Sequence, residues 1–141
     1  MPTGQLMALY SAHHGSRLLD LETSGVPTYR QPFKMGDIHP SDKVAYLDTL
    51  ASADDKTLFL HIINREYDKS LTLSIDASDL GEFTGTARRY SLVGRLHDQP
   101  RPGEPRQISR ITETDFHVAS GKLSLPLPPR SVSCVEIPLT H

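Results

Sequence analysis

Apolar runs and polar turns alternate at short, even intervals between Val44 and Val93, and this rhythm restricts the chain to a β architecture. In SLTLSID (70–76), Leu71, Leu73 and Ile75 fall on one side of an extended chain, and Ser70, Thr72, Ser74 and Asp76 on the other. Side chains alternate across a strand, so a period of two predicts a strand buried on one face. TLFLHIIN (57–64) is apolar almost throughout and predicts a core strand. VAYLDTLAS (44–52) precedes it across the polar turn ADDK, and together they predict an antiparallel hairpin. REYDK (65–69) is the next turn, and FTGTARRYSLV (83–93) a longer strand with one polar side. The chain closes with TDFHVAS, KLSLPLPP and RSVSCVEIPL. Pro126, Pro128 and Pro129 withhold backbone donors, which bars residues 125–130 from a central strand; residues 131–137 can be a strand again.

Helical spacing appears at the start, where Leu6, Leu9 and Tyr10 recur in QLMALYSAHH (5–14) and Gly15 follows as a C-cap. RLLDLET (17–23) predicts a first strand. Residues 24–43 form a long connection broken by Gly25, Pro27, Pro32, Gly36 and Pro40. Residues 94–107, with three prolines and three arginines, form a second irregular segment. Evenly spaced strands with almost no helix predict an all-β fold, an antiparallel, jelly-roll-like β-sandwich with a short N-terminal helical segment. A chain of 141 residues suits one domain with a real core. The boundaries expected are a helical lead-in over 1–15, read as the tail of a preceding domain, and a sandwich over 16–141.

The bulk numbers exclude more than they suggest. A net charge of −2 with mixed signs offers no electrostatic footprint for nucleic acid or an anionic membrane. No window is apolar enough to span a bilayer, and the N-terminus lacks the basic and apolar regions of a secretory signal, so a cytoplasmic address is expected. Cys134 is the single cysteine, which rules out an internal disulfide. Its apolar setting, SVSCVEIPL, predicts a buried and unreactive thiol.

Candidate chemistry is sparse. Asn64 is the single asparagine and closes an apolar strand just before Arg65 and Glu66. Glycosidic hydrolysis needs two carboxyl groups about 5–10 Å apart. Arg65 separates Glu66 from the asparagine, and a hairpin series is not a βα barrel, so Glu66 is read as a turn residue and Asn64 as the cap of its strand. His13 and His14 are adjacent and lack partners at ligand spacing, while His39, His97 and His117 are scattered. His61 sits in the apolar run and is expected to be satisfied by a backbone group. Ser11, Ser16 and Ser24 lack a nucleophile motif, and no glycine-rich phosphate cradle occurs. No catalytic, cofactor or metal residue is therefore assigned. Sugars stack on aromatic platforms, and without tryptophan the candidates are Tyr29, in the long connection, and Tyr67, in a turn, with Tyr46 and Tyr90 less exposed by position.

Three stretches together resemble one family. LYSAHHGSRLLDLETSGVPTY (9–29) is similar to the exit from the barrel of glycoside hydrolase family 51 α-L-arabinofuranosidases, where a short helix ends in glycine before a strand and a Pro-Thr-Tyr element. Residues 44–83 resemble the next part, with a Tyr-Leu-Asp strand, a strand ending in Asn-Arg and a leucine-x-leucine strand closing on Asp-Leu. LSLPLPPRSVSCVEIPL (123–139) is similar to the terminal strand with its Leu-Pro-Pro-x-Ser element. The resemblance implies the C-terminal β-sandwich of such an enzyme, with a catalytic (β/α) barrel as its partner. The family's two catalytic glutamates lie on that barrel, so neither transfers to this chain. Residues 94–107 depart from the family, which has an asparagine-containing segment there; a neighbouring glycoside hydrolase family with a similar tail is the alternative parent.

A non-catalytic accessory domain bracing a barrel is thus the leading expectation, its parent removing terminal arabinofuranosyl groups from hemicellulose. The competing expectation is a stand-alone carbohydrate-binding module for arabinose-containing polysaccharide. A domain that normally packs on a barrel should expose an apolar patch. Leu6, Met7, Leu9 and Tyr10 are expected contributors, and that patch could drive homo-oligomerisation.

Overall fold

In the computed structural model, which describes residues 2–94 and 111–139, one helix precedes ten strands. They are α1 (Pro2–Ala12), β1 (Arg17–Leu19), β2 (Thr28–Gln31), β3 (Ser41–Ala45), β4 (Leu47–Ala53), β5 (Thr57–Asn64), β6 (Leu71–Asp76), β7 (Gly85–Val93), β8 (Ile111–Val118), β9 (Lys122–Leu127) and β10 (Ser131–Pro138). A single 3-10 turn, Ser78–Leu80, follows β6. Six strands form one antiparallel sheet in the order β1-β4-β5-β10-β7-β8. Against it lies a second layer of β6 and β9, and β2 and β3 make a separate hairpin. This is the all-β sandwich with an N-terminal helix that the alternation predicts.

Register decides which residues make the core. Along β5, Leu58, Leu60 and Ile62 stand opposite Ala53, Ala51 and Thr49 of β4 and opposite Ile137, Val135 and Ser133 of β10. That face meets Leu123, Leu125 and Leu127 of β9, and Phe83 and Val118 complete the cluster. Each such side chain, once buried, contributes about 1.5–3 kcal/mol by leaving water. The apolar row of β6, Leu71, Leu73 and Ile75, reaches the same core but stays half-buried. β6 pairs with β9 alone among the described strands.

The middle of the large sheet's other face is also buried, where helix α1 lies over it. The β5 residues Phe59 and His61 point away from the core cluster, yet both are buried beside Cys134. Leu9 is only 2% exposed, and the Tyr10 ring stacks on His61 at 4.7 Å between centroids. Of the four residues expected to form an exposed patch, then, Leu9 is buried, Leu6 and Tyr10 are half-buried, and Met7, at 68%, stands in solvent. Helix α1 thus lays Leu9 and Tyr10 on its own sheet. Gly15 permits the close approach: a Cβ there would come within 2.3 Å of the Ala53 carbonyl carbon.

Three boundaries differ from expectation. Residues 44–52 are not one strand but the end of β3 and most of β4, because Tyr46 turns out of the ladder. Its N–H donates to the Pro27 carbonyl (3.0 Å) and its carbonyl accepts from Arg65 N–H (2.8 Å). The long connection contains β2, four residues fenced by Pro27 and Pro32. β1 stops at Leu19, where Asp20 begins a polar stretch. β9 includes Pro126, but in the two-stranded layer and not at a sheet centre, where its missing donor costs little. The segment 94–107 lies outside the described residues beyond Gly94.

Candidate functional site

The turn after β5 is built around Asn64, which is 2% exposed. Its Nδ2 donates to the Pro128 carbonyl at 2.8 Å and to the Leu127 carbonyl at 3.4 Å, and its Oδ1 accepts the Glu66 N–H at 3.0 Å. One carboxamide thus closes its own strand and ties it to the end of β9. Arg65 leaves the turn toward solvent, donating to the Ala45 carbonyl (2.9 Å) and pairing with Asp48. Glu66 is half-buried; its Oε1 accepts the Tyr67 N–H at 3.1 Å, and its carbonyl accepts the Arg130 N–H at 2.9 Å. None of these contacts brings a second carboxylate to Glu66.

Arg130 organises the neighbouring surface. Its backbone has φ of 51°, a left-handed conformation that is sterically unfavourable for a residue with a Cβ. Its side chain is held by the Gly94 carbonyl at 3.0 Å and the Tyr67 carbonyl, with the guanidinium 5.4 Å over the Tyr67 ring. Tyr67 is 54% exposed, and the arginine occupies one face of it. Tyr29 is half-buried on β2 and packs at 43° against Tyr46, 4.8 Å between centroids. The two tyrosines expected as sugar platforms therefore have separate partners, and sequence pattern identified neither Arg130 nor Tyr46 as those partners.

A second cluster lies beneath α1. His13 Nδ1 is 2.6 Å from Glu136 Oε1, and its ring stacks on Tyr90 at 3.9 Å. His61 Nε2 bonds the His13 carbonyl at 2.6 Å, the backbone partner expected for a core histidine and a cap for the helix end. Cys134 is completely buried between β5 and β7, and burial, with Glu136 adding to it, pushes its thiol up to about 12. It is protonated and inert at neutral pH. Burial and nearby Cys134 also raise Tyr10. On the inner face, Arg89 is buried with its Nε unpartnered. It donates to the Pro126 carbonyl, lies 5.0 Å over the Phe116 ring, and has its guanidinium pKa lowered by burial. Among the described residues no three His, Cys, Asp or Glu side chains gather as a metal site, and no helix is long and apolar enough to cross a membrane.

Among the described residues, clefts open along the flank between β6 and residues 20–24. A cleft of about 200 Å³ has Leu21, Thr23, Leu60, Leu73 and Ile75 among its walls, and a second of about 190 Å³ continues along Leu19, Leu58 and Ala77. The mouth carries Asp20, Glu22, Asp76 and Asp79. Bonds from Ser78 Oγ and N–H hold Asp76 below the usual carboxylate range, with Lys122 adding to the effect. This is an apolar flank with an acidic rim.

No protein-family model and no curated protein matches the sequence. Among solved structures, the chain is similar to the thermostable GH51 α-L-arabinofuranosidase from Thermotoga petrophila RKU-1. The TM-score is 0.74 at 22% identity, covering 92% of this chain and 27% of that one. The α-L-arabinofuranosidase of Thermotoga maritima, in its arabinose complex, gives 0.74 at 21%, covering 92% and 27%. A glycoside hydrolase family 30 subfamily 8 xylanase from Clostridium acetobutylicum gives 0.58 at 12%, covering 96% and 27%. The chain thus has the fold of one domain of the GH51 α-L-arabinofuranosidases and spans 27% of the length of these enzymes.

Proposed function

We propose that this chain is the non-catalytic accessory sandwich of an α-L-arabinofuranosidase-like glycoside hydrolase, and that it braces the catalytic barrel. The observation that carries the proposal is the match of 92% of the chain, at a TM-score of 0.74, to a single domain of a GH51 enzyme. Two further features support it. Glu66 is engaged by its own turn, which suits a structural role. Apolar side chains also stand in solvent where a partner could cover them, among them Phe33, Met35 and Ile38 at the tip of the β2–β3 hairpin. The parent then acts on terminal arabinofuranosyl groups of hemicellulose, with its acid and nucleophile supplied by the barrel. The test is to express the complete reading frame that encodes this chain, with and without the sandwich. A barrel that aggregates or loses thermal stability when residues 16–141 are removed supports bracing; a barrel of unchanged stability overturns it.

The exposure of Tyr67 favours a second reading, a module that binds arabinose-containing polysaccharide. Titration calorimetry of the chain with arabinoxylan oligosaccharides separates the two. The accessory reading expects no heat beyond dilution, whereas saturable binding abolished by Tyr67→Ala would establish the module.

A further inference from the structure

One end of the sandwich gathers the start of α1, three tyrosines and Arg130. His13, just past α1, bonds Glu136, and Tyr10, three residues earlier, stacks on His61, which stands opposite Cys134. Backward along the helix is thus backward along β10. From Tyr10 to Pro2 a helix covers about 12 Å, and from Cys134 to Ser131 a strand covers about 10 Å. The first turn of α1 therefore reaches the level of Ser131, which pairs with Asn64 and directly follows Arg130. Tyr67 follows Asn64 in the next turn, and Tyr46 with its neighbour Tyr29 is tied there by the Arg65 N–H, which donates to the Tyr46 carbonyl at 2.8 Å.

Of the three tyrosines, Tyr67 is the one held still and left accessible. Glu66 Oε1 accepts its N–H (3.1 Å), Arg130 donates to its carbonyl, and the Arg130 guanidinium lies over one face of its ring. Arg130 is fixed in turn by the Gly94 carbonyl (3.0 Å) and by its own N–H to the Glu66 carbonyl (2.9 Å). Tyr67 nevertheless remains more than half exposed. Among the described residues, neither its hydroxyl nor Glu66 Oε2 has a hydrogen-bond partner. A fixed aromatic ring beside an available hydroxyl and an available carboxylate oxygen suits a sugar, whose ring C–H groups stack while its hydroxyls donate and accept. A protein surface packed there would bury that carboxylate oxygen, which is costly unless it brings a donor.

We propose that Tyr67, with Glu66, is a distal subsite for one sugar unit of the parent's polysaccharide, away from the bond that is cut. This inference rests on the accessory-domain reading above, under which the barrel precedes α1 and so adjoins this end of the sandwich. One stacked ring is too weak a site to act alone. It takes effect once the barrel already holds the same polysaccharide chain, because the second contact is then intramolecular. The isolated chain accordingly gives no heat with oligosaccharides, as the accessory reading expects.

The experiment gives the full product of the reading frame two substrates: an aryl α-L-arabinofuranoside, too short to occupy a distal subsite, and arabinoxylan. Tyr67→Ala is expected to raise the ratio of the arabinoxylan KM to the aryl KM about fivefold, with an unchanged thermal midpoint. Tyr67→Phe keeps the ring and should hold that ratio within about twofold of the unsubstituted protein's. Glu66→Gln weakens the acceptor for sugar hydroxyls and should raise the ratio about threefold. An unchanged ratio in Tyr67→Ala overturns the inference. So does a lowered thermal midpoint with both substrates affected alike, which would make Tyr67 a packing residue against the barrel. Saturable binding of arabinoxylan by the 141-residue chain alone also overturns it and establishes the stand-alone module instead. A full product that hydrolyses neither substrate contradicts the accessory reading and this inference with it; an active one whose ratio does not move contradicts this inference alone.

Discussion

Asn64 is buried, and its hydrogen bonds tie the end of β5 and the turn after it to the end of β9. Asn64→Ala leaves the Glu66 N–H without its partner, while the Pro128 carbonyl keeps the Ser131 Oγ donor at 2.7 Å; an unsatisfied buried polar group costs about 1–3 kcal/mol. A loss of about 1–3 kcal/mol in urea unfolding is expected; a loss below about 0.5 kcal/mol would show the turn holding without it. Cys134 gives a prediction in pH. Burial lifts its thiol from 9.0 to about 12, so the folded chain holds this proton more tightly than the unfolded chain. The stabilisation is complete below pH 9 and is lost as pH climbs toward 12, with raised Tyr10 acting in the same direction above pH 10. Urea midpoints should therefore fall between pH 9 and pH 11, and Cys134→Ala should make that fall shallower. Parallel pH profiles for the two proteins would contradict the burial argument.

At the scale of elements, the joint between α1 and the sheet depends on a glycine. Gly15→Ala would drive a Cβ into the Ala53 backbone, which flexible side chains cannot relieve. The helix must then lift, re-exposing Leu9 and the Phe59–His61 surface, at a cost of about 2–4 kcal/mol. Rapid hydrogen exchange confined to α1 is the expected signature, and α1 amides as protected as in the parent chain would contradict it. How legible such elements are in sequence depends on how far one period runs. β5 and β10 are apolar over a full strand length and stand almost where the pattern puts them. β2 was hidden because four residues between two prolines carry too little alternation to register. The break at Tyr46 was hidden because residues 44–47 are one unbroken apolar run, while the hydrogen bonds that redirect it come from Pro27 and Arg65, distant in sequence. The docking of α1 was missed for a related reason: Leu9 and Tyr10 look like a helical face from sequence, but which surface they meet is set by Gly15 and by the ring of His61. Of the candidate platforms, Tyr67 could be read as a turn residue, but the positive-φ Arg130 laid over it is a tertiary contact with no local signal.

At the scale of the whole molecule, the sandwich is uneven among the described residues: six strands face two, and the flank beside β6 is apolar with an acidic rim. A domain with this imbalance is physically suited to being completed and flanked by more of a longer chain. Its titratable groups do the same kind of work. His61 caps a helix, Glu136 faces His13, Cys134 fills space and Arg65 pins Asp48, so each is spent on holding the fold. The central claim, that this sandwich serves a glycosidase without performing its chemistry, is tested most directly by turnover of an aryl α-L-arabinofuranoside, assayed in parallel with the 141-residue chain and with the full product of the reading frame that encodes it. The account predicts hydrolysis by the complete polypeptide and none above a buffer blank by the chain alone; turnover by the isolated chain, or none by the complete polypeptide, would contradict it.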